Sequence, residues 1–391
     1  MTNKILNIRQ WLLAATLLLV LTLNYSCRSD IELIISEEIE VDVPTEIIGY
    51  KGFYLLNEGN MGSNKSTLDF FDFETGKYIR NIYAERNPDV PKEMGDVGND
   101  LAIYGSKLYA VINVSNKIEV MDAETTERIG QVEIPNCRFI TFHGKYAYVT
   151  SYAGPVIIDP DYQQKGFVAK VDTATLEVVD RCIVGFQPDE LEIVDDKIYV
   201  ANSGGYMGVG NDGGYERTVS VIDLDTFEEE RRIDVAINLE MIRADKRGNL
   251  WVTSRGNHHN DPSKIFFIDI EKGEVTDTIS VPVNSMWMDG DSLYVMSNNT
   301  SGWDTGYYII DTKSREIIVE GFITDGTDKE MELPYGLMVH PETKDIYITD
   351  AGNFITPGVL YCFDRNGKKK WDVRTGDIPA HFALLPIYGD K

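Results

Sequence analysis

Side chains able to catalyse or to hold a metal are thinly spread along this sequence. There are five histidines, and only His258 and His259 adjoin, followed by Asn260 and Asp261. Adjacent residues of an extended chain point to opposite sides, and no third soft ligand is spaced to join them, so no metal site is expected there. The Asp/Asn-rich stretches, such as Asn211-Asp212, lack a calcium-loop ligand pattern, which leaves calcium an open question. No Ser/His/Asp order, glycine-rich phosphate cradle or convincing carboxylate pair is present, and so few histidines starve general acid–base schemes. The expectation is a protein that is not an enzyme and carries no cofactor.

Residues suited to recognition are plentiful. Tyr152, Tyr206, Met207, Tyr215, Trp303, Tyr335 and Phe354 lie among Asn, Ser and Gly in long irregular segments, and Arg255 lies in another, 254–264. Arg138, Phe139, Phe186, Met286, Trp287 and His381 stand where short apolar segments begin. Aromatic faces interleaved with amides and hydroxyls suit a broad, semi-polar ligand. Arg138, Phe139, Tyr152, Phe186, Tyr206, Tyr215, Arg255, Trp287, Trp303, Tyr335 and His381 are the expected ligand-binding set.

The elements that must position these residues are legible as a repeat. A short aromatic-bearing strand recurs seven times: FYLLN (53–57), LYAVIN (108–113), AYVTS (147–151), IYVAN (198–202), LWVTS (250–254), LYVMS (293–297) and IYITD (346–350). Each is followed by a strand ending in aspartate, a turn and another strand. The aspartates are Asp72, Asp122, Asp172, Asp223, Asp269, Asp311 and Asp364. Aspartate at such a place accepts backbone hydrogen bonds and starts a tight turn, so these carboxylates read as structural. One more strand precedes each aromatic strand, and no sustained helical period is present. Seven four-stranded units without helices predict an all-β, seven-bladed β-propeller over residues 49–391. The first unit begins at Phe53 without an inner strand, and the chain ends on Pro379 to Leu385 with no outer strands after it. Residues 379–385 are therefore expected to pair with 52–57 and close the ring. Long loops gather on one face, at 57–66, 151–166, 202–217, 254–264, 297–306 and 350–358, with links 85–100 and 324–336. Such loops are retained where they are used.

The N-terminus reads as an export signal, residues 1–26, with Lys4 and Arg9 before an apolar run from Trp11 to Leu23 that is too short for a comfortable membrane span. Leu23-Asn24-Tyr25-Ser26-Cys27 resembles a bacterial lipobox, which implies cleavage before Cys27 and its lipidation. Residues 27–48 read as an acidic tether, with an edge strand within it as the other reading. Acidic residues after the lipidated cysteine resemble a surface-export signal of Bacteroides-type lipoproteins. The formal charge is −26, which repels nucleic acid and anionic lipid. Cys137, Cys182 and Cys362 are an odd set that reads as three buried thiols, with a Cys137–Cys182 bridge left open.

The aromatic strand followed by an aspartate turn resembles the YncE-like, or YVTN, propellers over about residues 50–391. With the Cys27 context, the chain also resembles the surface cobalamin-binding lipoproteins of gut bacteria, the BtuG type. That resemblance implies capture of a corrinoid on the loop face, attachment to the outer membrane at the cell surface by lipid alone, and transfer to a TonB-dependent transporter. A surface binder for a glycan or another nutrient, a protein scaffold and a propeller lyase or hydrolase remain alternatives. An enzyme of this fold would need a metal or His/Glu set converging on the central channel, and no such set is visible in the sequence.

Overall fold

The computed structural model describes the backbone of residues 38–40, and residues 49–157, 161, 163–209, 212–298 and 305–387. These lie in the compact unit Ser36–Lys391. Cys27, the signal and most of the tether fall outside the described residues. So does Trp303.

The strands form seven antiparallel sheets, six of four strands and one of five. The inner strands are Pro379–Pro386, Gly98–Tyr104, Cys137–His143, Pro188–Val194, Leu239–Ala244, Ser285–Asp289 and Pro334–Val339. Each touches the next, and the last touches the first, so they surround a central channel. The expected closure is present: Tyr50–Asn57 pairs with Pro379–Pro386, with Gly52 opposite Leu385 and Asn57 opposite Pro379. The first blade therefore takes its inner strand from the end of the chain. Within the acidic stretch, Glu38–Glu40 adds a fifth strand against Lys77–Ile79, outside the first blade.

The hydrophobic core is divided among the spaces between blades. Along each aromatic strand, alternate side chains point to opposite neighbours, as the twofold period of a strand requires. Phe53 and Leu55 pack with Met338, Tyr347 and Trp371 of the seventh blade, while Tyr54 and Leu56 pack with Leu101 and Leu108 of the second. Seven such clusters fill the seven interblade spaces. A strand buried on both faces reads as a continuous apolar run, which is why these segments stand out in the sequence.

The repeated aspartates do structural work. Asp122 Oδ1 accepts the backbone N–H groups of Glu124 at 3.0 Å and Thr125 at 2.9 Å, and Asp311 Oδ1 those of Lys313 at 3.0 Å and Ser314 at 2.7 Å. The equivalent backbone donors, Thr175 for Asp172, Ser314 for Asp311 and Lys368 for Asp364, hold these carboxyls below the usual carboxylate range. Four residues after the aspartate the backbone turns left-handed, on glycine at Gly76 and Gly273 but on Thr126, Leu176, Phe227 and Arg315 elsewhere. The absence of helices needs a small correction: Ile82–Arg86 and Gly205–Gly208 are single helical turns in connections. Cys137, Cys182 and Cys362 are buried thiols outside any disulfide. Burial pushes the Cys137 thiol up to about 12 and the Cys182 thiol to about 11, which makes both inert.

Candidate functional site

The site is built by a β-bulge repeated around the ring. Where an inner strand begins, its pairing with the aromatic strand slips, and the extra residues are pushed toward the channel. The slips fall at Asn99, at Arg138 and Phe139, at Asp189 and Glu190, at Glu240 and Met241, at Tyr335 and Gly336, and at Ala380. The residue before the strand is left-handed in five blades, at Val97, Asn136, Gln187, Asn238 and Ile378. In three blades a threonine of the aromatic strand secures the bulge. Thr150, Thr253 and Thr349 accept the N–H groups of Phe139 at 3.0 Å, Met241 at 2.9 Å and Gly336 at 2.7 Å. Thr349 also donates to the Pro379 carbonyl at 2.6 Å, tying the seventh blade to the closing strand. Thr349→Val keeps the shape and strands the Gly336 N–H. A loss of about 1–3 kcal/mol in urea unfolding is expected.

The bulges surround a cavity of about 600 Å³ on the channel axis. Its wall is divided. Blades two to five contribute Asp100, Arg138, Glu190, Glu240, Arg243 and Arg255, whereas the sixth, seventh and first contribute Met286, Trp287, Leu337, Phe354 and Phe382. Phe139 and Met241 interrupt the charged part, and Glu58 and His381 of the first blade, Tyr335 of the seventh and Ser285 of the sixth interrupt the apolar part.

The charged half is organised around buried carboxylates. Asp189 is fully buried and accepts the Tyr152 hydroxyl at 2.5 Å, Arg255 Nη1 at 2.7 Å and Arg138 Nε at 3.3 Å. Burial opposes its ionisation, but Arg255 and Arg138 outweigh it and hold the carboxyl below the usual range. Arg255 Nη2 reaches Glu240 Oε1 at 2.8 Å, and Arg243 grips both oxygens of Glu190. Burial raises the Glu240 and Asp100 carboxyls. The Arg138 guanidinium lies 4.8 Å from the centre of the Tyr152 ring and 5.8 Å from that of Phe139. Where the first and seventh blades meet, Glu58 lies 3.2 Å from His381 Nε2 and accepts the Tyr335 hydroxyl at 3.3 Å. Among the described residues, no three His, Cys, Asp or Glu side chains converge as a metal site.

Of the residues expected from sequence, Arg138, Phe139, Arg255, Trp287, Tyr335 and His381 come together on this wall, with Met286 and Phe354. Four others stand elsewhere. Tyr152 is buried behind Arg138, and Tyr206 meets its ring edge-on at 5.1 Å, so both support the wall rather than form it. Phe186 donates its backbone N–H to Glu216 Oε2 at 3.0 Å, and Tyr215 packs on Gly208, both in the loops. Glu58, Asn99, Asp100, Asp189, Glu190, Glu240 and Arg243 were not expected. For Asp100, Asp189, Glu190, Glu240 and Arg243 the signal was charge within otherwise apolar inner strands, as in PDELEIV and LEMIRA. His381, Glu58 and Tyr335 meet at the channel, a contact that the sequence did not show.

A family model described as "Domain of unknown function (DUF5074)" matches residues 51–382, which is most of the chain, and the chain belongs to that family. No curated protein matches it in sequence. Among solved structures, it is similar to a chain of Kuenenia stuttgartiensis hydrazine synthase, at 18% identity and a TM-score of 0.55, over 69% of this chain and 77% of that one. Identity so low speaks for the fold alone.

Proposed function

We propose that this member of the DUF5074 family is a surface binder that captures cobalamin or a related corrinoid at the mouth of its channel and passes it to a TonB-dependent outer-membrane transporter. In this reading the lipid on Cys27 holds the chain at the cell surface, the site performs no chemistry, and cobalamin is cargo rather than cofactor.

The divided wall of the cavity carries the proposal. One part of the wall concentrates guanidinium and carboxylate groups fixed by one another, and the rest offers more aromatic and aliphatic surface, with Tyr335, His381 and Glu58 set into it. A ligand with a broad apolar face and a rim of amides is complementary to both halves at once. The cavity volume seats an edge of a corrinoid, and the surrounding loops would cover the rest. Four loop tips present apolar side chains to solvent, Met61, Ile157, Val209 and Ile355, the last 71% exposed. Exposed apolar tips around a polar-lined mouth suit contact with the ligand's face or with a receiving protein. The resemblance to cobalamin-binding surface lipoproteins points the same way.

Titration of the purified propeller with cyanocobalamin, by calorimetry and by the visible spectrum, tests the reading. Saturable one-to-one binding with a changed corrin spectrum is expected. No binding at high concentration removes the corrinoid and leaves glycans and partner proteins as candidates.

A second reading rests on the contact of His381, Glu58 and Tyr335. A carboxylate orienting a histidine beside a phenol is a general acid–base arrangement, and would suit a lyase or hydrolase. Recovery of the ligand unchanged after long incubation supports capture; conversion of the ligand supports this alternative.

A further inference from the structure

We propose that the cavity recognises a primary carboxamide of its ligand and rejects the corresponding carboxylate. The inference rests on the corrinoid reading, because corrinoids carry such amides around the ring.

The argument follows the hydrogen bonds of the charged half. Arg138 bonds to Asp189, Asp189 to Arg255, and Arg255 to Glu240, so one chain of charged groups runs along the wall. Both of its ends, Arg138 and Glu240, face the cavity, while Asp189 lies behind. Arg138 commits only its Nε to this chain and Glu240 only its Oε1. Among the described residues, the two terminal nitrogens of Arg138 and the second oxygen of Glu240 have no hydrogen-bond partner. Beside Arg138, Asn99 gives its Nδ2 to the Arg138 carbonyl at 2.7 Å, which leaves its Oδ1 as another acceptor. The wall thus offers donors from one residue and acceptors from two others.

A primary carboxamide answers both. Its carbonyl accepts from the Arg138 fork, and its –NH2 donates to Glu240 or Asn99. A carboxylate satisfies Arg138 and nothing else, and it adds negative charge where negative charge is already in excess. Arg138, Arg243 and Arg255 face Glu58, Asp100, Glu190 and Glu240 on the wall, with Asp189 behind. Arg243 is spent on both oxygens of Glu190, and Arg255 on Asp189 and Glu240. An anion entering this wall meets Glu240, whose partner Arg255 is shared with Asp189, whereas the amide enters neutral.

The test compares cyanocobalamin with the three isomeric monocarboxylic acids made by mild acid hydrolysis of its propionamide side chains. Each is titrated at pH 7 into the wild-type protein and into Glu240→Gln, whose fold is checked by its melting transition. Only the isomer altered at the recognised position should suffer, binding about a hundredfold more weakly than cyanocobalamin. In Glu240→Gln that gap should shrink below about tenfold, because the repelling charge is gone and the new amide donates to the acid. All three acids binding as tightly as the parent overturns the inference. So does a gap that a folded Glu240→Gln leaves unchanged. Failure of cyanocobalamin itself to bind is a separate outcome that overturns the corrinoid reading, and with it this one.

Discussion

Removing residues 379–391 is expected to abolish cooperative unfolding and leave a chain without fixed tertiary packing. The strand Pro379–Pro386 is the inner strand of the first blade, and it is made from the opposite end of the chain. Its side chains serve two interblade cores at once. Ala383 and Leu385 belong to the cluster between the first and second blades, and Phe382 to the cluster between the seventh and first. Fully burying Phe382 and Leu385 contributes about 1.5–3 kcal/mol each. The loss extends further, because Tyr50–Asn57 would turn an unpaired edge into the channel, with Phe53, Tyr54, Leu55 and Leu56 losing their cover. Against a total stability of about 5–15 kcal/mol, that is enough to unfold a domain. Urea unfolding followed by near-ultraviolet circular dichroism measures it. Leu385→Ala is the milder form, with an expected loss of about 2–5 kcal/mol and a transition that stays cooperative. A truncated chain with the wild-type midpoint would show that the closing strand is dispensable.

The closing strand was legible because strand periodicity and turn chemistry are local. Phe53 to Leu56 form a continuous apolar run for the physical reason that both faces are buried, and Asp122 or Asp311 marks a turn because its own backbone is what it bonds. Arg138 and Trp287 were found in the same way, as conspicuous side chains where strands begin. The carboxylate half of the site was harder to see. Asp189, Glu190 and Glu240 look like ordinary solvated acids until a bulge turns them inward, and the slip depends on pairing with a second strand. Thr150, Thr253 and Thr349 carried a trace of it, since a polar residue recurs in three otherwise apolar strands and secures the bulge in each. The pairing of Glu58 with His381 joins the two ends of the chain within the first blade, and no local window contains both. Tyr152 and Tyr206 were placed on the right face, but a tyrosine that supports an arginine and one that touches a ligand look alike in sequence.

Asp189→Asn should cost about 3–5 kcal/mol of stability at neutral pH and weaken ligand binding at least about tenfold. The substitution is nearly isosteric, so the loss reports charge rather than shape. Asp189 is fully buried and is shared by Arg138, Arg255 and Tyr152, so neutralising it leaves two confined guanidiniums, of which only Arg255 keeps an ion pair, with Glu240. The pH dependence separates this from a packing defect. The folded-state pKa of Asp189 is depressed, so its contribution is present above the unfolded carboxylate value of about 3.9 and is lost as pH falls through the lower folded value. Asp100 and Glu240 have raised folded-state values, so they act in the opposite sense. They oppose folding at neutral pH, and the penalty is relieved as pH falls through their folded values. In the wild type, stability contributed by this wall should therefore rise as pH falls toward the unfolded carboxylate values of about 4, and fall below them. In Asp189→Asn the rise should persist while the Asp189 share of the acid fall disappears. Urea midpoints at pH 7, 5 and 3.5 for both proteins decide the matter. Equal midpoints at pH 7 would mean that water in the channel compensates the arginines, and that Asp189 does not hold Arg138 and Arg255 in place.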